Sequence, residues 1–147
     1  MNKQFQKGFT LIELLIVIAI LGILATAVLI AINPTKRVNQ ANDSKAKSDV
    51  SQMSQALQAY FTTNSYYPSA LADLVTSGDM TVVPSVPSAS YTYTLSAIPA
   101  GCTTALKTCT NVAISATLLA PVTANDVWCF RSASGVIAET TAAACVP

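Results

Sequence analysis

The chain lacks histidine altogether. That removes His-based triads, His acid–base catalysis and His-containing metal sites. Charge is scarce as well: 10% of the 147 residues, against about 25% in an ordinary soluble domain. With 8 basic and 7 acidic residues there is neither the basic surplus of a nucleic-acid binder nor the acidity of a disordered tail. The four cysteines include no C-x-x-C pair, so zinc-ribbon and thioredoxin chemistry have no footing. There is no G-x-S-x-G and no phosphate loop. The expectation is therefore a chain with no catalytic residues, no cofactor and no metal. Asp73, Asp79 and Asp126 are the candidate calcium ligands, but they lie far apart with no D-x-D pattern. Tyr66, Tyr67, Tyr91 and Tyr93 could stack on single-stranded DNA, yet only Lys107 and Arg131 supply positive charge beyond residue 65. No nucleic-acid site is assigned.

What is abundant is apolar sequence, at 52% of residues, and most of the excess sits in one block. Phe9 to Ile32 would span about 36 Å as a helix, enough for a hydrocarbon core of about 30 Å. A cleaved secretory signal would be shorter and would close on small residues; this block does neither, so it reads as a retained membrane helix. Glu13 interrupts it. A carboxylate at the centre of a membrane helix costs about 2.5–3.5 kcal/mol on insertion scales, less near an end. The block holds no cation to pair with it. Cleavage before Phe9 would create one, a free α-amine at the start of the helix.

Lys7-Gly8-Phe9-Thr10-Leu11-Ile12-Glu13-Leu14 resembles the class III signal of type IV pilins and pseudopilins: a short basic leader ending in Gly, then Phe, then Glu as the fifth mature residue, then a long apolar helix. The resemblance implies cutting between Gly8 and Phe9 by a prepilin peptidase, N-methylation of Phe9, and polymerisation into a helical filament. Glu13 would pair with the Phe9 amine of its own or a neighbouring subunit. It further implies the partners: other copies of the chain, the inner membrane before assembly, and the pilus assembly machinery. Loss of residues 1–8 removes Lys3 and Lys7. Lys36, Arg37, Lys45 and Lys47 follow the block, and by positive-inside counting alone they would hold the C-terminal part in the cytoplasm; the signal motif and the cysteines both place it outside.

The expected organisation is a leader (1–8), an apolar transmembrane and filament-core helix (9–33), an amphipathic continuation (34–64) and a globular β-domain (65–147). Gly22 and Pro34 are the expected weak points of the helix. Val38, Ala41, Val50, Met53, Leu57, Tyr60 and Phe61 recur at three- and four-residue steps, with some gaps, and Asn39, Lys45, Asp49, Gln52 and Gln55 are assigned to the opposite face. Asp43–Lys47 and Lys45–Asp49 are expected charge pairs at four-residue spacing. Asn64 to Pro68 ends the helix, and Ser69 would cap a short one through Val75. Strands are expected at 91–95, 112–118, 127–131 and 136–138. The fold class is α+β: a long helix packed on a small antiparallel sheet, the pilin fold. Cys102, Cys109, Cys129 and Cys145 form an even set in a Ser/Thr-rich, charge-poor segment, which suggests disulfides and an oxidising compartment. The pairing that closes the shortest loops, Cys102–Cys109 and Cys129–Cys145, is preferred.

The function expected at this point is the structural subunit of an extracellular type IV pilus on the cell surface, serving adhesion, twitching motility or DNA uptake. The major pseudopilin of a type II secretion system is the alternative, favoured by Tyr67-Pro68; a C-terminal disulfide loop favours a pilin. A membrane-tethered binding domain that never polymerises is the third reading.

Overall fold

The computed structural model describes residues 8–147; the leader from Met1 to Lys7 lies outside them. The chain divides into two units, the first reaching to Arg37 and the second running from Val38 to Pro147.

The first unit is dominated by helix α1, Leu11–Ile32. Its side chains are apolar on every side but for Glu13 and Thr26, and none of its residues is buried. Gly22 does not break it. The backbone ladder runs straight through, and the Thr26 hydroxyl donates to the Gly22 carbonyl at 2.8 Å; a missing side chain costs helix propensity without removing a hydrogen bond. The break comes at Asn33, which is left-handed (φ 47°). Pro34 then opens helix α2, Pro34–Asn64, at the first position, where its missing N–H goes unneeded.

The second unit is a helix–sheet pair. From α2, Ala46, Val50, Met53, Leu57 and Tyr60 pack on strands β1 (Tyr93–Ile98), β2 (Asn111–Thr117), β3 (Asp126–Arg131) and β4 (Val136–Thr141). The sheet is antiparallel in the order β1-β2-β3-β4. Val112, Ile114, Ala116 and Phe130 face the helix. On the other side Ala113, Val127 and Cys129 are covered by Cys145, so the end of the chain closes the second face. Strand β1 begins two residues later than its Tyr-Thr alternation suggests, because Tyr91 is committed to α2.

That commitment involves two buried acids. The Asp43 carboxylate accepts from the Tyr91 hydroxyl at 2.6 Å and from the Leu119 and Ala120 amides at 2.9 and 2.8 Å. Asp49, only 6% exposed, accepts from the Tyr93 hydroxyl and from Lys45 at 2.7 Å. Asp49 therefore leaves the polar face assigned to it. Lys45–Asp49 forms as expected, but Asp43–Lys47 does not: Lys47 instead reaches Glu139 at 3.5 Å and lies 4.6 Å from the Trp128 ring centre. Buried donors claimed Asp43, since an unpaired buried N–H costs more than a surface ion pair returns.

Helix α2 ends where Ser65 turns left-handed (φ 65°) and donates its N–H to the Phe61 carbonyl at 2.8 Å. The short helix α3 is Leu71–Ser77. Ser69 does not cap it. Asp73 reaches back to the Ala70 N–H at 3.2 Å, and Ser69 bonds Thr104 in the Cys102–Cys109 loop. Gly78 stops α3 at φ 85°, where a Cβ would be strained. The two bridges are Cys102–Cys109 and Cys129–Cys145.

Two stability predictions follow from the tyrosine–aspartate contacts. Asp43→Ala leaves two amides without their acceptor and the Tyr91 hydroxyl with only the Asn39 carbonyl at 3.2 Å, and should cost about 2 kcal/mol in denaturant unfolding of the detergent-solubilised chain; an unchanged midpoint would show that water replaces the carboxylate freely. Burial, then the Tyr66 hydroxyl, pushes Tyr60 from 10.0 up to about 12. Burial and an aspartate acceptor raise Tyr91 and Tyr93 as well. The fold holds all three neutral, so this contribution is whole below the ordinary tyrosine range and is lost as pH rises through about 12. Trp128 fluorescence should report alkaline unfolding in that window, delayed relative to free tyrosine ionisation.

Candidate functional site

The residues singled out near the N-terminus do come together. Thr10 caps α1, and Glu13 is the third residue of its first turn. The Thr10 hydroxyl accepts from the Glu13 N–H at 3.2 Å, while Glu13 Oε2 accepts from the Thr10 N–H at 2.9 Å and from its hydroxyl at 2.8 Å. This reciprocal cap satisfies donors that the first turn of a helix leaves open, and the carboxylate sits at the positive end of the helix dipole. Both contacts use one oxygen. Oε1 has no partner among the described residues. Gly8 and Phe9 precede the cap in open backbone, with Phe9 79% exposed and nothing within 4 Å of where a Gly8 side chain would begin. The constellation is thus an accessible peptide bond, a fixed carboxylate four residues beyond it, and a 22-residue apolar helix with a mean hydropathy of 3.2, long and apolar enough to cross a membrane.

Elsewhere most of the weaker sequence candidates are occupied in the fold; the exception is Asp126, whose Oδ1 is buried without a hydrogen-bond partner among the described residues. Tyr67 and Tyr91 are buried, and the Tyr93 hydroxyl is held by Asp49, so they offer no stacking platform. Asp73 is taken up by Ala70 and Thr104, and Asp79 accepts from Ser77 at 2.6 Å. No cluster of metal-binding side chains occurs among the described residues. What composition and spacing did not reveal is Asp43: nothing distinguishes it from the other polar residues of α2 until the loop after β2 is seen to close on it.

Residues 3–29 match the family model described as a prokaryotic N-terminal methylation motif. Residues 33–99 match type II secretion system protein G, a stretch that runs from the break before α2 through α3 and β1. Together these matches bear out the chain's resemblance to type IV pilins and pseudopilins. Its curated relatives include the type II secretion system core protein G of Klebsiella michiganensis (41% identical over 68 residues, 46% of each chain), of Aeromonas hydrophila (43% over 68, 46% of each) and of Pseudomonas aeruginosa (42% over 69, 47% of each). The chain spans about half the length of the curated relatives it matches. No solved structure matches it. The α+β pilin-like architecture, a long apolar N-terminal helix with a helix-backed antiparallel sheet, agrees with this resemblance.

The cap carries a local prediction. Thr10→Ala removes the acceptor for the Glu13 N–H and one donor to Oε2, at about 1 kcal/mol. Hydrogen exchange at the Thr10-position and Glu13 amides should rise several-fold in detergent micelles, with residues 38–147 unaffected. Equal protection in both proteins would mean that the cap contributes nothing to the first turn.

Proposed function

We propose that the chain is a structural, non-catalytic subunit of the pseudopilus of a type II secretion system, in the role of the protein G subunit. It would be processed between Gly8 and Phe9, N-methylated at Phe9, held in the inner membrane by α1 and polymerised on the periplasmic side. The observation that carries the reading is the protein G match over residues 33–99. It covers α2, α3 and β1 and so extends well beyond the signal shared by pilins and pseudopilins alike. This shifts the emphasis from the extracellular pilus expected from the sequence to the secretion pseudopilus. The pilus remains the second reading on one feature, the Cys129–Cys145 bridge, which closes the end of the chain beyond the matched stretch.

The chemistry of assembly rests on Glu13. Cleavage frees an amine one residue before the Thr10 cap, and the unengaged Oε1 is an acceptor for it or for the amine of an adjoining copy. A charged pair among apolar helices is far more stable than either charge alone, by about 3–5 kcal/mol. It also marks an axial register that uniform Leu and Ile packing does not.

Glu13→Leu should leave cleavage and membrane-bound monomer at normal levels, because it removes an insertion penalty and touches nothing in the second unit. Polymer should fall strongly, and Glu13→Asp should lie between. Mature subunits should begin at Phe9 by intact mass, and Gly8→Val should accumulate uncut precursor. Fractionation reads both points: subunit recovered from sheared cell surfaces favours the pilus, and subunit confined to a periplasmic polymer favours the pseudopilus. Wild-type polymer from Glu13→Leu would remove the carboxylate from assembly and return the chain to a tethered domain.

A further inference from the structure

The second unit carries a projecting apolar loop and an apolar-floored groove on opposite flanks of the same helix. The stripe of α2 that packs on the sheet lies between them. On one side Gln40, Asp43, Ser44 and Lys47 border the β2–β3 loop. On the other Gln52, Gln55, Ala56 and Ala59 border a groove of about 320 Å³ closed by Asp79 and Met80. At about 100° per residue each flank is displaced by roughly a third of a turn from the buried stripe.

The loop is fixed from below. Asp43 holds the Leu119 and Ala120 amides, and Glu139 on β4 holds the Val122 amide. Those bonds orient Val122 outward at 93% exposure, the most exposed large apolar side chain of the unit. A loop ordered by two carboxylates loses little further entropy on docking. The charge a partner meets beside it is cationic: Asp43 is buried, the Glu139 side chain is 14% exposed, and the Lys47 ammonium group's side chain is 35% exposed. The groove presents the reverse. Its floor is Ala56, Ala59 and Met80, and its rim carries Asp79, which has no cationic partner among the described residues.

We infer that the β2–β3 loop of one copy docks in the α2–Met80 groove of the next, with Val122 on the alanine floor and Lys47 facing Asp79. One copy cannot satisfy itself, because loop and groove lie on opposite flanks of one helix. Two different surfaces meeting head-to-tail give an open-ended assembly rather than a closed dimer. The contact deepens the polymer reading above and rests on it. It adds to the α1 contacts a lateral one between globular units.

The test uses the full chain in cells that assemble it. Val122→Asp places a carboxylate opposite Asp79 without disturbing the monomer, whose melting temperature should be unchanged. Cross-linkable polymer should fall about tenfold or more. Asp79→Lys in an otherwise unaltered chain should lower it severalfold as well, since Lys47 would then face a second lysine. Benzoylphenylalanine at position 122 should cross-link, in the polymer only, to peptides spanning residues 52–80 of another copy. Undiminished polymer from Val122→Asp or from Asp79→Lys, or cross-links mapping elsewhere, would each overturn the contact while leaving the polymer reading intact. A wild-type chain that forms no polymer at all would instead sink both.

Discussion

The buried Asp43 carboxylate is the contact on which the arrangement of the second unit turns. One side chain on α2 receives three donors from two separate stretches, Tyr91 before β1 and the amides of Leu119 and Ala120 after β2. Apolar packing of Val50, Met53 and Leu57 supplies most of the stabilisation, but such packing tolerates rotation and sliding of a helix on a sheet. Directional bonds to a buried charge do not, because each one lost leaves an unpaired group in a low-dielectric interior. Asp49 and Tyr93 repeat the device six residues further along α2. Two tyrosines spaced by two along the chain, read by two aspartates spaced by six, fix both the rotation and the axial position of the helix.

The first unit inverts this design. Nothing in α1 is buried, so its apolar surface must be covered by lipid or by other chains, and the chain cannot be at home in water without them. Its one carboxylate is held by Thr10. The cap lowers the cost of carrying Glu13 in a monomer, since the acid already has donors, and it leaves one oxygen for a further partner. In the proposed subunit an acid already tolerated alone would be improved by an incoming amine, which would favour assembly without trapping the monomer.

Much of this was legible in the sequence. The apolar helix, the four strands and the two local cysteine pairs follow from spacing and residue type, because each depends on neighbours close in the chain, and the Gly8-Phe9-Glu13 signal is read from its resemblance to the class III motif. The readings that shifted depend on distant residues. Asp43–Lys47 has the spacing of a helix pair, but Tyr91 and the β2–β3 loop, some fifty to eighty positions away, took Asp43, and Glu139 took Lys47. Asp49 reads as a surface residue until Tyr93 is placed over it. Ser69 has the composition of a cap, yet Thr104 across the Cys102–Cys109 loop claimed it. Gly22 lowers helix propensity, but a single weak residue within 22 apolar ones does not outweigh the intact ladder around it. In the two aspartate cases a local preference of a few tenths of a kcal/mol met a buried group with more at stake.

The end of the chain, beyond the stretch that resembles protein G, is held differently from the helix and first strand. The protein G match stops at residue 99, after the helix and the first strand have been laid down. Beyond it the core face of the sheet is still set by α2, through Val112, Ile114, Ala116 and Phe130. The outer face carries no such constraint: Ala113, Val127 and Cys129 need only to be covered, and the terminal segment does so through one covalent tether at Cys145. A surface closed by a disulfide rather than by a second layer of packed side chains can change its sequence freely as long as the tether holds. The geometry of the second unit therefore belongs to α2 and the residues it grips, and the bridged end depends chiefly on its tether.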